Sequence, residues 1–173
     1  MDLFIFTMPR LKIEDIYMEI AYSVAKLSYA ERRKVGCVIV KDNQIVSFGY
    51  NGTPHGFENE CEELVIKDID NENHKEILES KGYLCKGDSC SKVITKGEVL
   101  HAESNALSKI AKSTLSCDGA TLYTTTSPCF ECSKSIIQSG ITKVYYNETY
   151  RDMSGIELLS KANIKVVRTD VIY

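Results

Sequence analysis

Two short runs constrain this chain most tightly: His101-Ala-Glu103 and Ser127-Pro-Cys-Phe-Glu-Cys132. Pro128 marks a helix start. Cys129 and Cys132, three residues apart, then fall on one face of the first helical turn, where both sulfurs can grip one ion. A helix N-terminus also favours thiolate over thiol, the form a metal ligand needs. His101 opens the preceding helix and offers an imidazole nitrogen. Three protein donors leave a fourth position for water, the open arrangement of a catalytic zinc. Glu103 lies two residues further on, close enough to move that water's proton without being a ligand. Taken singly, each piece has a plainer reading: a structural zinc clip or redox pair for the cysteines, a helix cap for the histidine. Together they point to one activated water.

The rest of the chain supplies a frame for that constellation. Ile13, Ile16, Tyr17, Ile20, Ala21, Val24 and Leu27 keep helical spacing, which predicts a first helix of about four turns. Val35–Val40 and Ile45–Tyr50 read as strands joined by a tight turn around Asp42 and Asn43, so this pair is antiparallel. Further on, helices are expected at about 102–112, from Cys129 and near 155–162. Strands are expected at 120–126, 143–147 and 164–168. Strands alternating with short helices predict an α/β domain whose helices cover both faces of a mixed sheet. Residues 57–98 stand apart: eleven acids against six bases give −5, leaving +2 elsewhere. They read as an insertion, with one helix near 62–80 followed by a cysteine-bearing loop.

At 173 residues, 43% hydrophobic and 26% charged, the chain fits one globular domain spanning 1–173. Disordered, collagen-like and disulfide-stapled classes are excluded. A net charge of −3 argues against holding a polynucleotide through bulk charge. The apolar run Leu3–Phe6 is too short for a membrane span or signal-peptide core, so a cytoplasmic protein is expected, in the host's cytoplasm if the source is viral. Seven cysteines, an odd number without a secretion signal, point to metal ligands or buried thiols. Cys37 and Cys117 read as small buried hydrophobes.

The order H-x-E…P-C-x-x-C is the signature of zinc nucleobase deaminases, and every position is filled here. More of the chain resembles the deoxycytidylate (dCMP) deaminases of phage and bacterial type, within the cytidine deaminase superfamily. The matching segments are Lys34-Val-Gly36, Ile45-Val-Ser-Phe-Gly-Tyr-Asn-Gly-Thr-Pro54, His101-Ala-Glu-Ser-Asn-Ala-Leu107, Thr121-Leu-Tyr-Thr-Thr-Thr-Ser-Pro-Cys129 and Ile136-Ile-Gln-Ser-Gly-Ile141. The Gly-Tyr-Asn-Gly-x-Pro loop and Asn105 single out the dCMP branch.

The resemblance implies a three-layer α/β/α sandwich around a five-stranded mixed sheet. It implies hydrolysis of dCMP to dUMP and ammonia, supplying dUMP for dTMP synthesis. His101, Cys129 and Cys132 would hold zinc, while Glu103 would protonate N3 and then the leaving amine. Asn51 would reach the sugar, its plainer role being a turn residue before Gly52. Ser127 and Tyr150 are further candidate substrate contacts. Arg32 and Lys34 before the first strand, with Arg151 after the fourth, are candidates for a phosphate clamp, against the plain alternative of solvated charges. Many relatives with the Gly-Tyr-Asn-Gly loop form homohexamers switched on by dCTP and off by dTTP, so the resemblance implies the same here, with effectors beside Gly49, Tyr50, Asn51 and Gly52. Beside an acidic insertion, dCTP is expected to arrive with Mg²⁺. Some phage relatives carry a second, structural zinc, for which Cys61, His74, Cys85 and Cys90 are the candidate ligands here; a loop of free thiols is the simpler alternative. Rival readings are a deaminase of dCTP, of a 5-modified dCMP or of free (deoxy)cytidine, a tRNA adenosine deaminase-like enzyme, and a non-catalytic nucleotide sensor.

Overall fold

The structure, a computed structural model, describes residues 11–170; the Leu3–Phe6 run lies outside them. Helix α1 (Ile13–Ala25) leads into a hairpin of β1 (Gly36–Lys41) and β2 (Gln44–Tyr50). Asp42 and Asn43 both take positive φ, 50° and 61°, the left-handed pair that matches a two-residue turn to the strand twist. After residues 51–61 come β3 (Glu62–Asp68), α2 (Glu72–Ser80), β4 (Leu84–Lys86) and β5 (Ser89–Thr95). The chain then alternates through α3 (Ala102–Ala111), β6 (Thr121–Thr126), α4 (Phe130–Gln138), β7 (Lys143–Glu148), α5 (Ser154–Lys161) and β8 (Lys165–Arg168).

Five strands form the central sheet in the order β2-β1-β6-β7-β8. β1 runs antiparallel to both neighbours, whereas β6, β7 and β8 are parallel, so the sheet is mixed as the hairpin requires. Alternation along β1 divides the core in two. Cys37 and Ile39 face Ala102, Ala106, Ile136 and Leu159 of α3, α4 and α5. Val38 and Val40 face Tyr17, Met18 and Ala21 of α1 on the opposite side. The result is the expected α/β/α sandwich. Among the described residues no helix is long and apolar enough to cross a membrane.

The insertion differs from its sequence reading. Glu62–Asp68 is a strand, not the first half of a helix, and the helix is confined to Glu72–Ser80. β3, β5 and β4 build a separate three-stranded antiparallel sheet. The β-branched Val65 and Ile66 favour the extended chain, and Asn71 starts the helix late by accepting a hydrogen bond from the His74 N–H (2.9 Å). The expected cysteine loop is the β4–β5 hairpin, where Cys85 and Cys90 lie opposite each other and form a disulfide. The candidate second metal set is therefore dispersed: two of its sulfurs are bonded to each other. Cys61 is buried near Thr53, and His74 Nδ1 pairs with the Asp70 carboxylate at 2.9 Å. Among the described residues these four do not converge.

Two glycines seat the helices that carry the chemistry. At Gly49 in β2, a Cβ would strike the Ala102 carbonyl oxygen and lie 2.5 Å from the Ala106 nitrogen, so α3 rests directly on the strand backbone. At Gly155 a Cβ would strike the Pro128 carbonyl and lie 2.8 Å from the Cys129 carbonyl carbon. Because rigid backbone, not a flexible side chain, receives the clash, Gly49→Ala is expected to cost ~1–3 kcal/mol or more and to displace α3. Urea denaturation should show a lower midpoint, with zinc content falling in parallel. Gly97→Ala, where nothing lies within 4 Å, should change neither.

Candidate active site

His101 and Cys129 are the N-cap residues of α3 and α4. The two helix starts therefore meet, and Cys132 lies in the first turn of α4. His101 Nδ1 lies 3.4 Å from Cys129 Sγ and 3.4 Å from Cys132 Sγ. All three donors fall within 4.8 Å of one another. A tetrahedral ion with bonds of ~2.0 Å to nitrogen and ~2.3 Å to sulfur would set N and S roughly 3.5 Å apart, so this donor set fits zinc in both type and spacing.

The electrostatics agree with an ion-accepting site. The Cys132 thiol donates to Cys129 and, against the cost of burial, lowers its pKa to about 4, with His101 adding to the effect. Cys132, holding the shared proton, is pushed upward by that same bond and by burial. His101 is raised by its bond to Cys129, with burial opposing. A cation that took the place of the shared proton would satisfy both sulfurs. Ser104 Oγ stands 3.6 Å from Cys132 Sγ. Glu103 is buried, 4% exposed, in the first turn of α3. Burial raises its pKa, while its own backbone N–H and His101 work in the other direction. A carboxyl whose protonated form is favoured by burial is suited to relaying protons beside such a donor set.

His101, Glu103 and Cys129 open on a cavity of about 760 Å³. Of the candidate substrate contacts, Asn51, Arg32, Ser127, Tyr150 and Arg151 line it; Lys34 does not, and the adjacent Arg33 does. Arg33 Nη2 sits 3.4 Å from Glu148. Asn51 is chiefly a clamp: its Oδ1 accepts from the Val35 N–H (2.8 Å) and its Nδ2 donates to the Arg33 carbonyl (2.9 Å). An amide offers two donors and two lone pairs, so one of each remains for a ligand. Ser127 is also inward-holding, its hydroxyl accepting from the Tyr150 N–H at 2.7 Å. The Arg151 guanidinium lies over the Tyr150 ring at 5.6 Å.

The insertion supplies a wall that sequence reasoning missed. Glu62, Lys92 and Thr95 line the same cavity. Glu62 accepts hydrogen bonds from the Glu31 and Arg32 N–H groups (3.2 and 3.3 Å), and Arg32 Nη1 donates to Thr95 Oγ1 (3.1 Å). Lys92 donates to the Lys81 carbonyl. No local spacing announces these contacts, because they join segments 30 and 63 residues apart. Of the loop residues expected near an effector, Asn51 faces this cavity and Gly49 packs on α3. Tyr50 and Gly52 line a second cavity of about 360 Å³, with Asn105 and Lys109.

Residues 11–148 match the family model described as the cytidine and deoxycytidylate deaminase zinc-binding region. The chain belongs to this family. It is 36% identical over 148 residues to the deoxycytidylate deaminase of Enterobacteria phage T4, covering 77% of this chain and 76% of the phage protein. It is 34% identical over 154 residues to the deoxycytidylate deaminase of Schizosaccharomyces pombe; there the match covers 88% of this chain but only 42% of the yeast protein. Among solved structures, dCMP deaminase from the cyanophage S-TIM5, in complex with dCMP and dUMP, superposes with a TM-score of 0.72 at 37% identity. That match covers 92% of this chain and 100% of the cyanophage chain.

The roles of ligand and proton carrier separate experimentally. His101→Ala or Cys132→Ala should lose the metal, since two donors remain, whereas Glu103→Ala should retain it and lose ~10²–10⁴-fold in turnover. Metal analysis beside a rate assay reads both, and the parent chain should carry one zinc. Full zinc in either ligand variant would overturn the donor set.

Proposed function

We propose that this chain hydrolyses dCMP to dUMP and ammonia in the cytoplasm, or in the host's cytoplasm if the source is viral. The observation that carries the reading is the placement of Glu103 beside the His101, Cys129 and Cys132 cluster, in a cavity that Arg32, Arg33 and Arg151 also line. His101, Cys129 and Cys132 would hold zinc, which would supply the Lewis acidity that brings a water's pKa toward ~7. Glu103 accepts that water's proton and passes it to N3 of the cytosine as C4 becomes tetrahedral. It then takes the proton of the hydroxyl added at C4 and hands it to the amine, so that the C4–N4 bond breaks, the C4 carbonyl forms and ammonia departs. The remaining donor and lone pair of Asn51 serve the sugar. The arginines take the 5′-phosphate, whose planar bidentate recognition suits a guanidinium better than an ammonium.

Arg32→Ala and Arg151→Ala should each lower kcat/KM for dCMP by ~10-fold or more while leaving the slow rate on deoxycytidine nearly unchanged, as lost charge-assisted bonds imply. Ammonia release from dCMP, dCTP, deoxycytidine and 5-methyl-dCMP measures this. Equal losses on dCMP and deoxycytidine would assign the arginines to structure, and preference for the nucleoside would replace dCMP as substrate.

Regulation forms the second part of the proposal. The chain works as a homohexamer, with dCTP, accompanied by Mg²⁺, activating and dTTP inhibiting from the 360 Å³ cavity bounded by Tyr50, Gly52, Asn105 and Lys109. Asn105 Nδ2 donates to the Tyr50 carbonyl at 2.8 Å, so this cavity shares α3 with the catalytic groups. An effector acts only through unequal affinity for two states. The rate against dCMP concentration should be sigmoidal alone, nearly hyperbolic with dCTP and Mg²⁺, and sigmoidal again with dTTP; curves indifferent to both triphosphates would remove this part.

A further inference from the structure

The insertion's sheet ends on β3, whose outer edge has no strand beside it in the sheet order. An unpaired edge is a template for another chain, and natural edges are blunted by proline, bulges or inward charge. β3 has neither proline nor bulge: Glu62–Asp68 contains no proline or glycine and pairs with β5 without a break in register, and its charges, Glu62, Glu63, Lys67 and Asp68, decide what can dock there. It also displays apolar side chains. Leu64 and Ile66 are each 61% exposed and share a face with Val93, 46% exposed, which lies directly opposite Leu64.

The hydrogen-bond phase of this edge is fixed. The Lys96 N–H donates to the Cys61 carbonyl and the Ile69 N–H donates to the Asp88 carbonyl, so the odd-numbered residues of β3 bond inward to β5. Residues 62, 64, 66 and 68 therefore direct their N–H and C=O groups outward. A second β3 can meet them antiparallel in only a few in-phase registers. Pairing Leu64 with itself sets Glu62 against Ile66, and pairing Ile66 with itself sets Leu64 against Asp68. The register centred on Val65 sets Leu64 against the partner's Ile66, Glu63 against the partner's Lys67 and Val65 against the partner's Val65. By symmetry the Leu64–Ile66 contact and the Glu63–Lys67 contact are each made twice, and the Val65–Val65 contact once, on the axis. Its like-charged match, Glu62 with the partner's Asp68, also occurs twice, but each Glu62 carboxylate already accepts from the Glu31 and Arg32 N–H groups.

We infer that β3 pairs antiparallel with β3 of a second copy of this chain, about a two-fold axis through Val65, to form a continuous six-stranded sheet. Charge complementarity and matched apolar positions select the second copy as occupant. The pairing joins through the insertion and does not depend on the chemistry proposed above. Because Glu62 and Thr95 of this sheet hold Arg32, the assembled sheet would also brace one wall of each catalytic cavity.

Cysteine cross-linking of the full chain tests the register. Glu63 and Lys67 are exposed, and four residues of strand hold them ~13 Å apart within one chain, beyond disulfide reach. Across the axis they form a non-hydrogen-bonded pair, with Cα atoms ~4.5 Å apart. Under mild oxidation the double variant Glu63→Cys/Lys67→Cys should run as a covalent dimer on a non-reducing gel, at least about fivefold more than either single variant. Val65→Cys, alone on the axis, should also link. No dimer from the double variant, or equal linking by the Lys67→Cys variant alone, would overturn the inference. Sedimentation velocity of the parent chain separates the two assembly claims: a hexamer with no cross-link removes only β3 pairing, whereas a linked dimer without a hexamer removes only the hexamer.

Discussion

The meeting of two helix N-termini is the constraint from which the rest of this structure follows. His101 and Cys129 each occupy an N-cap, so the imidazole and the first sulfur leave the backbone at the point where two helices begin. For the starts to meet, α3 must lie directly on β2 and α5 must press against the turn before α4. Gly49 and Gly155 permit both approaches. The positive ends of two helix dipoles then lie beside the sulfurs and support thiolate character there. Fold and chemistry are thus one requirement: a side chain at either glycine would disturb the ligand geometry together with the helix packing that creates it.

The parts of this arrangement that depend on local spacing were legible in the sequence. Cys129 and Cys132 declare their common face through an interval of three after proline, and Asp42 and Asn43 declare a hairpin turn. The alternation of strands and short helices gave the layered sandwich. What was not legible depends on distance along the chain. Of three adjacent bases, Arg32 and Arg33 line the cavity; Arg32 is held by Glu62 and Thr95, and Arg33 by Asn51 at its carbonyl and Glu148 at its guanidinium, none of them a neighbour in sequence. Of the expected clamp residues Arg32 and Arg151 line the cavity and Lys34 does not.

The insertion misled for a different reason. One helix near 62–80 was expected, yet in β3 the apolar Leu64 and Ile66 and the charged Glu63 and Lys67 follow strand alternation around Val65. Nor did its two hairpin cysteines announce a partner, since a pair five apart suits a metal clip as well as a bond between facing strands. Once folded, the insertion is no appendage. Through Glu62 and Thr95 it holds the backbone and side chain of Arg32, which places part of the proposed specificity for a phosphate outside the central sandwich.

The insertion leaves and re-enters the sandwich through a single bridge. Gly52 and Leu100 exchange both backbone hydrogen bonds, N–H to carbonyl at 3.1 Å and 2.9 Å. The two anchor points are thereby fixed side by side whatever lies between them. Closing a longer excursion on fixed ends costs only ~0.6 kcal/mol for each doubling of its length. The segment between this pair can therefore gain or lose whole elements at little cost to the host domain. In evolutionary terms it is a cassette, where the size and lining of the substrate entrance can be rewritten while the metal-binding helices stay where they are.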